Sequence, residues 1–412
     1  MLSVEDNNLL TRIEAGTPMG SLFRRYWIPA LLSEEISEPD CAPVRVRLLG
    51  EELVAFRATD GTIGLLNEHC AHRGTSLFFG RNEECGLRCI YHGWKYGVDG
   101  KVLDTPAEPA GSQLKNKVRH NAYPCVEAGG IVFTYMGPKE KLPVFPSYPW
   151  LGVPQEQIYI AKSFLECNYL QGLEGDCDSA HLNYLHRMFK PDARREFLNL
   201  VDQSPDFEFD DLDCGVRAAA IRNMTGGATY ARISHFVMPF IGAVPVGSMV
   251  DGKLDGFKAV YQVPADNHNT WRYDFFFKWS RPFGKEDSSK RDFVDAGYKK
   301  LRNKRNNYLQ DRERQKTVNF TGITEFLNQD ACATESMGPV VNRMVEHLGA
   351  SDAFIIQVRR FLLRAVKDFQ AGKEPPGVIF DAAQNNFAHL RCEAAHLPAK
   401  VSWRSLYENG KR

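Results

Sequence analysis

The sequence predicts an α+β protein: a small all-β module followed by a larger part that mixes strands with helices. Three observations carry that reading. Short β-rich runs broken by glycine fill residues 43–137, among them VRVRLLG at 44–50, ELVAFRA at 52–58 and GIVFTYMG at 130–137. A proline-rich stretch, KLPVFPSYPW at 141–150, has neither strand nor helix period and suits a linker or an extended crossing segment. Beyond it, β-type runs such as KAVYQVP at 258–264 and TWRYDFFFKWS at 270–280 are interspersed with segments of helical period.

A chain of 412 residues suits such a division. The expected units are an N-terminal segment, 1–42, packing on the second domain, a β module, 43–140, and the second domain, 141–412. Within the latter, Ser351 can cap a helix that carries Phe354, Ile355, Val358, Phe361 and Leu362 on one face and stops near Gly372, before Pro375 and Pro376. Residues 285–316 are dense in charge of both signs and read as a solvated helix face rather than a nucleic-acid patch.

Composition excludes several function classes. Lysine plus arginine equals aspartate plus glutamate at 51 each, so no global field draws the chain to nucleic acid or an anionic membrane. Residues 1–20 lack the apolar core of a signal peptide, and a cytoplasmic location is expected. The longest apolar stretch, 236–250, is broken by Pro239, Gly242, Pro245 and Gly247 and falls short of the about 20 residues a spanning helix needs. The ten cysteines then read as thiols and metal ligands rather than as a disulfide framework.

Cys70, His72, Cys89 and His92 form a C-x-H pair, sixteen intervening residues, and a C-x-x-H pair inside the β module. A tetrahedral Cys₂His₂ zinc site is the plainer reading, since thiolate and imidazole both suit zinc. A zinc finger, however, groups its cysteines first and its histidines later on a helix, whereas each pair here mixes the two. Mixed pairs fit a Rieske [2Fe–2S] centre, in which two cysteines hold one iron and two histidines the other. Gly74 and Gly93 let backbone amides approach such a cluster, and Tyr91, Trp94 and Tyr96 can shield it. Cys85 and His69 match neither spacing and are left out.

A second constellation lies in ECNYLQGLEGDCDSAHLNYLHR, 166–187, where Asp178 is followed by His181 and His186. Five residues apart, the histidines are about 140° apart on an ideal helix and meet one ion only if the chain bends. HExxH is absent, which weakens a zinc peptidase. Two histidines and a carboxylate are the facial triad of non-haem Fe(II) oxygenases, which leaves positions for O₂. Asp330, expected to precede a helix, is the favoured third ligand, with Glu325, Glu335 and Asp352 as competitors.

With CAHRG, CIYHGWKYGVDG and EGDCDSAHLNYLH on view, the chain resembles the oxygenase α subunits of the Rieske non-haem iron family along nearly its whole length. YLQDRERQKTVNFTGI (308–323), QDACATESMG (329–338) and EHLGASD (346–352) are similar to the phthalate dioxygenase branch, which includes phenoxybenzoate dioxygenase and aryl ether O-demethylases. The resemblance implies a Rieske domain followed by a helix-grip catalytic domain with an antiparallel sheet, assembled as a head-to-tail homotrimer or stacked hexamer. It implies Cys70 and Cys89 on one cluster iron and His72 and His92 on the other, with His181, His186 and Asp330 on the mononuclear iron. Asp178 would bridge a cluster histidine of one subunit to an iron histidine of the next.

The chain carries neither a GxGxxG nucleotide fingerprint nor a four-cysteine ferredoxin pattern, so electrons must come from another protein. In this branch the resemblance implies an NADH-dependent reductase with flavin and a ferredoxin-type cluster. The implied reaction is cis-dihydroxylation of an aromatic carboxylate or O-demethylation of an aryl ether. A carboxylate calls for a cation in an apolar pocket; Arg217, Arg222, Arg232, Ser179 and His235 are candidates. The competing classes are a pure Rieske electron carrier, against which the second constellation speaks, and a zinc-dependent binding protein, which would be colourless.

Overall fold

Residues 1–190, 202–284 and 293–408 are described by the computed structural model. Two short helices, α1 (Val4–Thr11) and α2 (Pro18–Phe23), open the chain, each capped by a hydroxyl: Ser3 accepts from the Asp6 N–H and Thr17 from that of Gly20. Strand β1 (Trp27–Leu32) follows, then β2 (Val44–Leu48), β3 (Glu51–Arg57) and β4 (Ile63–Asn67), which coincide with the alternating runs read from sequence. The small strands β5 (Arg81–Glu83), β6 (Gly86–Arg88), β7 (Lys95–Tyr96) and β8 (Val102–Asp104) make a second sheet in chain order. After the short α3 (Leu114–Lys117), β9 (Ala122–Tyr123) completes the first sheet in the order β2-β3-β4-β9. Val54, Phe56, Leu66, Leu87, Trp94 and Tyr96 form a core of their own here, which takes in Cys70 and Cys89.

β10 (Cys125–Ala128) and β11 (Ile131–Tyr135) pair with β1 in a third sheet, order β1-β11-β10. Ile28, Leu31, Ile131 and Phe133 of this sheet share one continuous core with Tyr261 and Phe275 of the second lobe. Helix α1 touches the second lobe directly, since the Tyr169 hydroxyl donates to the Leu10 carbonyl at 2.8 Å. The proline-rich segment is a pinned crossing rather than a loose linker. Its Val144 N–H donates to the Ile379 carbonyl at 2.8 Å, and its fully buried Trp150 donates to the Tyr261 hydroxyl at 2.8 Å.

The second lobe comprises β12 (Ile158–Leu165), α4 (Tyr169–Asp176), β13 (Asp206–Leu212), β14 (Gly215–Asn223), β15 (Thr229–Val237), β16 (Ile241–Val244), the hairpin β17 (Ser248–Val250) and β18 (Lys253–Asp255), β19 (Lys258–Pro264), β20 (Thr270–Phe277), α5 (Arg312–Thr317), α6 (Phe326–Ser336), α7 (Ala353–Gln370), β21 (Glu393–Leu397) and α8 (Ser405–Glu408). Its antiparallel sheet runs β12-β20-β19-β16-β15-β14-β13; β21 pairs with the part of β15 that the short β16 leaves uncovered. α7 lies against β14 and buries Phe354, Val358, Phe361 and Leu362, a stripe in which each large side chain contributes about 1.5–3 kcal/mol.

Two expectations are corrected. Ser351 does not cap α7: it sits in the preceding turn, Asp352 holds the cap position, and its carboxylate accepts the Gly349 N–H instead. The charge-dense stretch is not one helix: 285–292 lie outside the described residues, and the remainder is turns, a kinked 3₁₀ segment at Lys304–Leu309 and the six-residue α5.

Candidate metal centres and cavity

Two loops of the first lobe repeat one geometry. The Gly74 N–H donates to the Cys70 carbonyl at 2.8 Å, and the Gly93 N–H to the Cys89 carbonyl at 3.1 Å. Both glycines sit at positive φ, +77° and +76°, where a side chain would be strained. The turns bring the buried Cys70 and Cys89 together and set the His72 and His92 rings edge to face, 4.6 Å between centroids. Burial, reinforced by the adjacent Cys70, raises the Cys89 thiol above its ordinary pKa. Trp94 stacks on His72, the Tyr96 hydroxyl lies 3.0 Å from the Cys70 sulfur, and Tyr91 is exposed. His69 faces the Gly74 carbonyl and Cys85 lies exposed in the β5–β6 turn, so neither joins the group.

In the second lobe α4 ends at Asp176 and the chain bends, with residues 181–183 forming a single 3₁₀ turn. That bend lets two histidines five apart converge. One donor atom each from His181, His186 and Asp330 lies within 4.8 Å of the others. Among the described residues this is the one set of three or more His, Cys, Asp or Glu side chains gathered so tightly. Asp330 lies within α6 rather than ahead of a helix. Of its competitors, Glu335 accepts the Tyr308 O–H and the Glu166 N–H, and Asp352 accepts from Gly349.

The neighbours of the triad set its protonation. His186 Nδ1 lies 2.6 Å from Gln329 Oε1, and the Gln329 amide is fixed because its Nε2 donates to the Ile323 carbonyl at 2.8 Å. Nδ1 therefore carries a proton, and Nε2, which meets Asp330 Oδ1 at 3.0 Å, is the nitrogen that would face a metal. Phe326 stacks on the same imidazole at 4.4 Å. Asp178 Oδ1 accepts the N–H groups of Ala180 (2.7 Å) and His181 (3.3 Å), and Oδ2 lies 3.7 Å from His181 Nδ1. Burial pushes His181 down, but the hydrogen bond and charge of Asp178, with Asp330 and Asp176 behind it, hold it above the ordinary imidazole value. Asp330 lies far below the usual carboxylate range: burial opposes this, and the His186, Arg272 and His181 charges overcome it.

A cavity of about 1820 Å³ reaches the triad from between the sheet and α6. Leu182, Leu185, Phe276, Phe326 and Met337 make much of its wall apolar, while Arg232, Ser179 and Ser234 bring polarity to it.

The same two lobes are visible in known proteins. Residues 26–127 match the Rieske [2Fe-2S] domain family, and residues 134–411 match the family described as LigXa C-terminal domain like. The chain is 41% identical over 398 residues to the phthalate 4,5-dioxygenase oxygenase subunit of Pseudomonas putida, covering 92% of this chain and 89% of that one. It belongs to the Rieske oxygenase family, as an oxygenase subunit. It is 36% identical to the 3-chlorobenzoate-3,4-dioxygenase oxygenase subunit of Comamonas testosteroni, over 99% of this chain and 98% of that one. A structure of the Pseudomonas putida CBB5 NdmA QL mutant with caffeine shares the fold, with a TM-score of 0.64 at 19% identity over 87% of this chain and 94% of its own.

The oxygenase subunit thus works with a Rieske [2Fe–2S] cluster, a mononuclear iron and O₂, and draws its electrons from separate proteins. A pure electron carrier is not what the family or the second centre describes. No described helix is long and apolar enough to cross a membrane.

The expected substrate residues divide. Ser179 and Arg232 line the cavity; Arg222, Arg217 and His235 do not. Arg222 is buried behind the 179–183 loop, donating to the Ser179 carbonyl (2.9 Å) and Asn183 Oδ1 (3.2 Å); burial and the nearby Arg232 charge lower it to about 10. His235 faces the opposite side of β15, accepts from Arg217 Nε at 3.1 Å, and is kept neutral by burial and that charge. Strand alternation was the signal: Arg232 and Ser234 share a face, and His235 cannot. Gln329, Phe326 and Arg272 were missed because nothing in their local sequence marks them.

Proposed function

We propose that this oxygenase subunit hydroxylates an aromatic carboxylate, with His181, His186 and Asp330 as the iron ligands and Cys70, Cys89, His72 and His92 as the cluster ligands. The observation that carries the substrate class is a largely apolar cavity that opens on the triad and holds a guanidinium, Arg232, in its wall. An arene fills the apolar part, and its carboxylate pairs with Arg232.

When bound, the cluster relays single electrons and the mononuclear iron activates O₂ for insertion into the substrate. The chain's own residues prepare the reaction. Gln329 fixes the tautomer of His186, Asp178 orients His181, and the apolar wall keeps water from the reacting carbon. Which carbon faces the triad decides between a cis-diol and, for an aryl ether, loss of the alkyl group as aldehyde.

The finer partnership completes the reading: a head-to-tail homotrimer in which Asp178 joins a cluster histidine of one subunit to His181 of the next. An NADH-dependent reductase carrying flavin and a ferredoxin-type cluster feeds it. Asp178 is suited to such a bridge because its side chain stays partly exposed, 23%, with one oxygen already held by backbone N–H groups. The test is product analysis under ¹⁸O₂ over a panel of aromatic acids and methyl ethers with a competent reductase. Label is expected in the product of an aromatic acid; neutral arenes turned over in preference to every acid would refute the carboxylate assignment.

A further inference from the structure

Behind the triad lies a buried ion network. Arg272, on β20 and 3% exposed, sends Nε and Nη2 to the two oxygens of Asp274 at 2.8 and 3.0 Å, and Nη2 also to Asp176 Oδ1 at 3.2 Å. The same Nη2 is 3.8 Å from Asp330 Oδ2, while Oδ1 of that carboxylate lies 3.0 Å from His186 Nε2. The anchors are themselves held: Lys258 pairs with Asp274 at 3.1 Å, and Gln262 donates to Asp176 Oδ2 at 2.6 Å. Glycine makes the approach possible, because a Cβ at Gly242 would stand 2.7 Å from that of Asp176.

We infer that Arg272 is a positioning residue that turns Asp330 so that Oδ1 alone is offered to the mononuclear iron and Oδ2 is withheld. The inference rests on His181, His186 and Asp330 being the ligands. An octahedral ion held by three protein atoms keeps three positions for O₂, water or substrate, whereas a carboxylate bound through both oxygens leaves two. Both Nη2 hydrogens already go to Asp274 and Asp176, so Arg272 meets Asp330 Oδ2 by charge alone, but from a place that those two bonds fix and that a flexible lysine ammonium would not hold. Arg272 also ties the end of α4, two residues before Asp178, to the helix that carries Asp330, so both parts of the ligand set share one anchor.

The test uses full-length holoenzyme, with the visible absorption of the cluster as the check on folding. Arg272→Lys keeps the charge and loses the fork. Fe(II) affinity at the mononuclear site, read by chelator competition, is expected to fall 10- to 100-fold. With Co(II) loaded there instead, X-ray absorption at the cobalt edge is expected to show an additional metal–oxygen contact. Affinity within twofold of wild type and an unchanged cobalt shell overturn the proposal. Asp176→Asn, which leaves the Arg272–Asp274 pair intact, decides the matter if the lysine variant does not fold: a smaller loss of affinity in the same direction supports the proposal, and none overturns it. Glu35→Gln, which breaks the buried Lys162–Glu35 pair away from the triad, is expected to lower thermal stability without moving either metal readout; a matching change there assigns the effect to general loosening and overturns the proposal. Asp330→Ala separates the two layers, since retention of iron in that variant removes the ligand assignment itself.

Discussion

Tyr96→Phe is expected to lower the reduction potential of the Rieske cluster. The Tyr96 hydroxyl is 3.0 Å from the Cys70 sulfur. Burial, together with the hydrogen bond and charge of Cys70, holds the phenol above its ordinary pKa, so it keeps its proton and is the donor once the sulfur is a thiolate. Hydrogen bonds to charged groups contribute about 1.5–3 kcal/mol, and the bond tightens as the acceptor gains negative charge on reduction. If about 1–1.5 kcal/mol of that differs between the two redox states, a one-electron couple, at about 59 mV per tenfold change in equilibrium constant, shifts by roughly 40–65 mV. The substitution removes one oxygen and leaves the ring on His120, 4.6 Å away. Potentiometric titration followed by electron paramagnetic resonance reads the change at fixed pH. A shift below about 10 mV, or one toward higher potential, would show that the hydroxyl does not donate to the sulfur.

Two further predictions concern the second lobe. Asp178→Asn preserves the carbonyl oxygen that accepts from Ala180 and His181, so both metals should remain by iron analysis and cluster absorption while turnover falls roughly 100-fold; near-normal turnover would remove the bridging role. Glu174→Gln leaves the buried Arg343 and Arg359 short of their shared carboxylate and should cost about 3–5 kcal/mol of stability at neutral pH, seen as a lower Tm. Burial pushes Glu174 up, but the two arginines hold it below the ordinary value. Its contribution is thus complete above the unfolded pKa of about 4.3 and declines as pH falls through the lower folded value. A gap between wild type and variant that already closes at pH 6 would contradict that sign.

What could be read from the sequence was local. The two Cys/His pairs each sit within four residues, and one turn with glycine at its close brings each together, so spacing alone revealed them. His181 and His186 were equally legible once a bend was allowed. Asp330 is more than 140 residues further on, and it was favoured over Glu325, Glu335 and Asp352 partly on an expected place ahead of a helix, whereas it lies within α6. The residues that orient the ligands had no such signal. Arg272 looks like an ordinary strand arginine until β20 is placed beside β19 and beneath α4, and Gln329 like an ordinary helical glutamine until His186 meets it. Arg222 and His235 were misplaced for the converse reason: the carboxylate substrate that the resemblance implied called for a cation in the pocket, but side-chain alternation and the covering 179–183 loop decide which of these candidates face it.

The sheet of β1, β11 and β10 has a consequence for how current reaches the protein. Its apolar side chains are interlocked with those of Tyr261 and Phe275, so the lobe bearing the cysteines is fused to the lobe bearing the triad and cannot swivel on a hinge as a shuttling head would. A redox donor must travel to a stationary terminal. Cutting the chain at 141–150 would not liberate two self-sufficient halves, since each would present to water the greasy surface that the other now covers.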